Sequence, residues 1–178
     1  MSEKSQLILM AKYNKLMNKR IFEAAKMLSY SKLMENKNAF FKSIMGTLNH
    51  IMIGDILWLK RFSAHPSEYA VLKKMEGFVK PNKLDQELFS DINIFYAQRI
   101  KLDEFIIELC NELKEADINN ALRYVNFKEE THAKRFGDLI LHVFLHQIHH
   151  RGQVTTLLSQ ENINFGDTDL PEIIPDQN

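Results

Sequence analysis

The chain has 178 residues, 45% of them hydrophobic, and its 23 lysines and arginines balance 23 aspartates and glutamates. A formal charge of zero argues against a nucleic-acid surface, because duplex DNA selects a basic patch. Cys110 is the single cysteine, which excludes an internal disulfide and fits a reducing compartment.

The N-terminal stretch MSEKSQLILMAKYNK has an apolar run only from Leu7 to Ala11 and no small-residue cleavage site, so no secretory signal is expected. The first helix is read from Met10, Tyr13, Met17, Ile21, Ala24 and Leu28, which recur at spacings of three and four along one face. A short connection around SKLMENKN suits an antiparallel neighbour. The second helix is expected from about Ala39 to Phe62, carrying Phe41, Ile44, Leu48, Ile51 and Leu57. The segment from Ser63 to Leu84, with His65, Pro66, Gly77 and Pro81, is long enough to cross a bundle and let helices two and three run parallel.

The third helix shows Leu88, Ile92, Phe95, Leu102, Ile106, Leu109 and Leu113, a stripe interrupted once by Arg99. After it, weak alternation through Leu122, Tyr124 and Phe127 suggests short strands. The fourth helix, from about Phe136 to Glu161, carries Leu139, Val143, His146, His150, Val154 and Leu157. From Asn164 a tail with two prolines and several acids is expected to wrap the surface or fray. Neither Ser43–Gly54 nor Leu139–His150, the longest apolar stretches without a formal charge, reaches the roughly 18 residues of a membrane span. These features predict one all-α cytoplasmic domain over residues 1–178, a four-helix bundle.

The chemistry concentrates in FLHQIHHRGQ, residues Phe144 to Gln153. At about 100° per residue, His142, His146 and His150 form one stripe at spacings of four. Two histidines so spaced can close on one metal ion, although an isolated pair is more often solvated or hydrogen-bonded. All three cannot share an ion, because His142 and His150 stand about 12 Å apart along the axis. His146 therefore pairs with either His142 or His150, and His149 lies at the edge of the stripe. A third ligand is offered by His50, inside an apolar helix and flanked by Gly46 and Gly54 at minus four and plus four. Each glycine costs a helix interior about 1 kcal/mol relative to alanine, so the pair is read as space cleared for a metal. Together these residues favour a three-histidine site.

Other residues carry smaller expectations. Arg99 is read as a boundary arginine whose head reaches water, or else as a partner of a substrate anion or of Asp55. Gln153 is placed to bond a metal-bound water or orient a ligand histidine. Arg151 is expected to pair with Asp55 or another carboxylate, Gly152 to admit a neighbouring helix, and Trp58 and Tyr13 to be core or pocket wall. Cys110 lacks the charged neighbours of an activated thiolate.

SIMGTLNHIMIGDILWLKRF and LILHVFLHQIHHRGQVTTLL resemble the two signature helices of the DinB family, the damage-inducible DinB/YfiT-like metalloenzymes, and the resemblance extends to DTDLP in the tail. It implies a four-helix bundle of up-down-down-up topology and a divalent metal held by His50, His146 and His150. The wider set around the metal is then Gln153, His142, His149 and Arg99. Imidazoles suit several ions, and the expected metal is zinc or nickel ahead of iron or manganese. Three protein ligands leave a coordination position open, as catalytic sites do. The resemblance implies a metal-dependent enzyme, a transferase using a low-molecular-weight thiol or a hydrolase, acting on a small molecule as a homodimer. The other class is a non-catalytic metal-binding module of the stress response.

Overall fold

The computed structural model describes residues 2–176. Met1 lies outside the described residues, as do Gln177 and Asn178 of the expected tail. Each longer helix but the last starts at a side chain that accepts from its first turn. Ser2 accepts from Ser5 N at the head of α1 (Glu3–Ala25), and Ser29 from Lys32 N at α2 (Tyr30–Met34). Ser43 accepts from Gly46 N at α3 (Ile44–Phe62). Short α4 (Ala70–Lys73) follows, and Asp91 then accepts from Asn93 N and Ile94 N to open α5 (Ile92–Glu112). These caps satisfy donors that a first turn leaves without an intrahelical partner. They also correct the expected boundaries. The second long helix begins at Ile44, not Ala39, because Ser43 is in extended conformation with its hydroxyl committed to the cap. The connection before it contains the unexpected α2.

After α6 (Glu115–Ile118), β1 (Ala121–Val125) pairs antiparallel with β2 (Thr131–Arg135). Leu122 and Tyr124 lie on β1, while Phe127 falls in the turn beyond it. α7 (Phe136–Gln160) then runs back along the molecule. The tail is tied to α1 in two places. Tyr13 Oη donates to Thr168 O at 2.6 Å, and Arg20 pairs with Glu172. Among the described residues no helix is long and apolar enough to cross a membrane.

The four long helices share one core. α1 packs on α5 and α7, and α3 packs on the same two. α3 is buried on nearly every side, its polar Thr47, Asn49, His50 and Asp55 included. The connection after α3 lies across that helix. Asn49 Oδ1 accepts from Leu88 N and Phe89 N at 2.9 and 3.0 Å, and Asn49 Nδ2 donates to Phe89 O at 2.8 Å.

A polar layer crosses this core and uses all four helices. Arg99 of α5, only 2% exposed, pairs with Asp55 of α3 and lies 3.0 Å from Asp103. Gln147 of α7 donates to Asp55 Oδ2 at 2.8 Å and accepts from Asn18 of α1 at 3.0 Å. Arg151 donates to Asn14, Asn18 and Gln147. Two expectations fail here. Arg99 does not reach water but takes its other reading, the pairing with Asp55, with Asp103 as a second carboxylate compensating its charge inside. Arg151 takes neutral amide partners rather than Asp55. Burial pushes the Asp55 carboxyl up to about 6 against the opposing pull of Arg99.

Breaking a buried ion pair by removing one partner strands the other charge. Arg99→Met leaves Asp55 and Asp103 buried without their cation, and is expected to destabilise the fold by about 3–5 kcal/mol. Urea unfolding with an unchanged m value measures the loss.

Candidate metal centre

α3 and α7 meet along the face that carries the histidines. Contacts run from His50 against His150 and His146, through Gly54 against His146, to Trp58 against His142. One ring nitrogen from each of His50, His146 and His150 lies within 4.8 Å of the other two. His146 Nε2 and His50 Nε2 are 3.0 Å apart. Nitrogens bound to one ion at about 2.0–2.1 Å stand about 2.9–3.4 Å apart for octahedral to tetrahedral angles. The pair already has that spacing.

The outer ring nitrogens show which lone pairs face inward. His50 Nδ1 donates to Leu84 O at 2.8 Å, and His150 Nδ1 donates to Gln153 Oε1 at 2.8 Å. A carbonyl can only accept, so both protons are held on Nδ1 and both Nε2 atoms are bare. Metal-ligating histidines are oriented in this way by partners on the far ring nitrogen. The donor set therefore fits a metal ion. His50 and His150 are buried and His146 is half-buried.

All three imidazoles are held neutral. Burial, then the neighbouring His150 and His50, lower His146 to about 3. Burial is also the main cause that lowers His50, against the Leu84 carbonyl, and His150, against Gln153. Phe41 contributes to that dry surround by stacking on His50 at 3.7 Å between ring centroids, with its edge toward His150 at 5.5 Å.

The two glycines of α3 act differently. A Cβ on Gly54 would stand 2.6 Å from His146 Cε1, so its absence makes room for that ring. A Cβ on Gly46 would meet the Phe41 carbonyl at 2.1 Å. Gly46 therefore clears space for the loop that carries Phe41, not for a metal. A Cβ on Gly152 would meet no heavy atom within 4 Å, so this glycine admits no neighbouring helix, contrary to expectation.

The remaining candidates lie around this centre or away from it. His142 is exposed, its ring 6.0 Å from His146 and 5.2 Å from Trp58. Burial, and then the Arg61 charge, lower its pKa. His149 is exposed beside His150, its ring 4.7 Å away, and accepts from Gln153 Nε2 at 3.3 Å. Arg99 belongs to the polar layer beneath, which adjoins the centre through Asp55 beside Gly54, Gln147 beside His146 and Arg151 beside His150. Tyr13 faces the tail, and burial pushes the Cys110 thiol up to about 12. Leu84 and Asn49 were not singled out from sequence. A backbone carbonyl carries no residue signature, and only an asparagine adjoining His50 hinted at a crossing strand of chain.

A helical protein with three converging neutral histidines belongs to the class that could hold a metal ion on imidazole. The DinB family model matches residues 1–171, and the chain belongs to the DinB family. It is similar to Protein DinB of Bacillus subtilis (strain 168), with 25% identity over 157 residues, 88% of this chain and 87% of the relative. No solved structure gives a significant match.

Gly54→Ala should displace the His146 ring and weaken zinc binding at least about tenfold, while the helix gains up to about 1 kcal/mol of propensity. Zinc titration beside thermal unfolding separates the two effects. A pH effect follows from His146 in the metal-free protein. Its folded pKa, about 3, lies below the unfolded value near 6.5. The unfolded chain thus binds more protons between those values, and stability falls as pH drops through that window. Asp55 acts oppositely up to about 6, so wild type must be compared with His146→Ala. The expected result is that urea midpoints of wild type decline relative to the variant as pH is lowered from 6.5.

Proposed function

We propose that this protein is a metal-dependent enzyme that holds a divalent ion on His50, His146 and His150 and keeps a coordination position open for a small-molecule substrate. The observation that carries the reading is the convergence of these ring nitrogens, with the far nitrogens of His50 and His150 tied to the Leu84 and Gln153 oxygens. Zinc or nickel suits the all-imidazole set, iron shares that donor preference, and manganese, which favours oxygen ligands, ranks behind them. A bound ion of this kind supplies Lewis acidity, lowering the pKa of a coordinated water or thiol.

The chain's own residues define the remaining tasks. Leu84 and Gln153 fix the tautomers, Phe41 and α3 keep water from the His50 side, and half-buried His146 faces the accessible side. The reaction class we propose is transfer involving a low-molecular-weight thiol, or hydrolysis. No group near the centre is assigned as a separate general base. The scaffold is read as a four-helix bundle of up-down-down-up topology. Support comes from contact order: Phe22 meets Tyr96 and Asn18 meets Asp103, so α1 and α5 oppose, while Phe62 meets Phe136 and His50 meets His150, so α3 and α7 oppose. The exposed Leu141, Leu145 and Ile148 on α7 support a homodimer, and the single buried cysteine suits a cytoplasmic setting.

The test is metal content of gently purified protein and of five alanine variants. His50→Ala, His146→Ala and His150→Ala should each lower zinc or nickel affinity by at least about tenfold, the scale on which even outer partners of metal ligands act. His142→Ala and His149→Ala should retain most of it. Loss with His142→Ala but not His150→Ala, in folded protein, would place the pair one turn away and sink this ligand set. Metal-dependent turnover that disappears with His146→Ala would distinguish an enzyme from a non-catalytic binder.

A further inference from the structure

Arg61 closes the α3 side of the surface that leads away from the histidines. It is half-buried, and its guanidinium carbon lies 4.6 Å from the Trp58 ring centroid, 5.5 Å from Tyr124 and 5.8 Å from Phe127. The chain has six arginines, and four of them are accounted for inside the structure. Arg20 pairs with Glu172, Arg99 with Asp55 and Asp103, and Arg135 with Glu3 and Asp138, while Arg151 donates to three amides. Arg123 is exposed on β1 and faces solvent. Arg61 is the half-buried one whose side chain has no hydrogen bond or carboxylate partner among the described residues.

Stacking on aromatic faces holds a guanidinium by its plane and uses none of its N–H donors. The fork of donors at its edge is thereby fixed in position and left available to an oxyanion. A chain of neighbouring rings links this fork to the histidines. Trp58 lies 5.2 Å from His142, His142 lies 6.0 Å from His146, and all of these rings are half-buried or exposed. From Gly54, which abuts His146, to Arg61 the rise along α3 is about 10 Å. An aromatic-lined strip of that length, with a candidate metal at one end and an unpaired guanidinium at the other, fits an elongated molecule with one anionic end.

We propose that Arg61 anchors the carboxylate or phosphate of such a molecule while its other end reaches the three-histidine centre. This rests on the metal reading above for its second end only. Carboxylate and phosphate share the bidentate geometry that a guanidinium fork recognises, so the probes distinguish them.

Trp58 is the single tryptophan and stacks on Arg61, so its fluorescence reports occupancy directly. Octanoate, octyl phosphate and neutral octanamide are titrated into metal-free and zinc-loaded protein. One or both anions should bind at least about tenfold tighter than octanamide, the gain of a charge-assisted bidentate contact. The tighter of the two identifies the oxyanion. Arg61→Gln should erase that preference without changing octanamide binding or zinc content, with only a small drop in thermal unfolding from the lost stacking, and Arg61→Lys should keep only part of it. Equal binding of anions and octanamide to wild type overturns the anchor. So does an equal loss of all three probes in Arg61→Gln, which would mark a packing role. In zinc-loaded protein, mercapto-octanoate should bind tighter than octanoate, because its thiolate takes the metal. Equal binding overturns the two-ended placement. Protein that retains no zinc defeats the metal reading instead, and the metal-free titration still decides Arg61.

Discussion

The polar layer through the core is the constraint on which the rest depends. Asp55, Arg99, Asp103, Gln147, Asn14, Asn18 and Arg151 come from four helices and are nearly all inaccessible. Such a layer gains little over apolar packing, because desolvation offsets most of the attraction. Its effect is on alternatives. Sliding α3 one turn along α7 would separate Asp55 from Gln147 and draw it from Arg99, leaving a charge buried without compensation. That penalty of several kcal/mol fixes one register, and the register sets His146 over Gly54.

The histidine centre is thus built from the core outward. Asp55 adjoins Gly54, and Gln147 adjoins His146, so these two residues of the polar layer position their neighbours in the centre. The other supports come from irregular chain. Asn49 pins residues Leu88 and Phe89, which holds the connection where the Leu84 carbonyl meets His50. Gly46 admits the Phe41 carbonyl, which sets the Phe41 ring on His50. Far-nitrogen acceptors and a dry aromatic wall together give neutral imidazoles whose lone pairs converge, the state that binds metal without proton competition.

The centre is asymmetric in its exposure. His50 and His150 are buried, while His146 borders the exposed His142 ring, which leads on to the half-buried rings of Trp58 and Tyr124. The exposed His142 ring leaves the centre more open toward the α3–α7 side, while Phe41 stacks over His50. Ion pairs nearer the surface, such as Arg135 with Glu3 and the largely covered Lys37 with Glu161, hold loops against the helices, and the exposed ones are solvent-screened.

The amino-acid pattern determined the helical class, four long helices and the concentration of histidines, because helical periodicity and i,i+4 spacing are local properties of the chain. It determined too that His50 and the α7 stripe could converge, although the choice between His142 and His150 came from family resemblance. Helix starts were legible only in hindsight from Ser43 and Asp91, since an apolar stripe continues in sequence beyond the residue whose side chain caps the turn. The tertiary structure decided what depends on contacts between distant segments: that Arg99 is compensated inside rather than solvated, that Gly46 serves Phe41 while Gly54 serves His146, and that a backbone carbonyl at Leu84 sets the His50 tautomer. Sequence spacing encodes which face a residue occupies, but the partner on the opposing face is fixed only when the polar layer locks the helices in register.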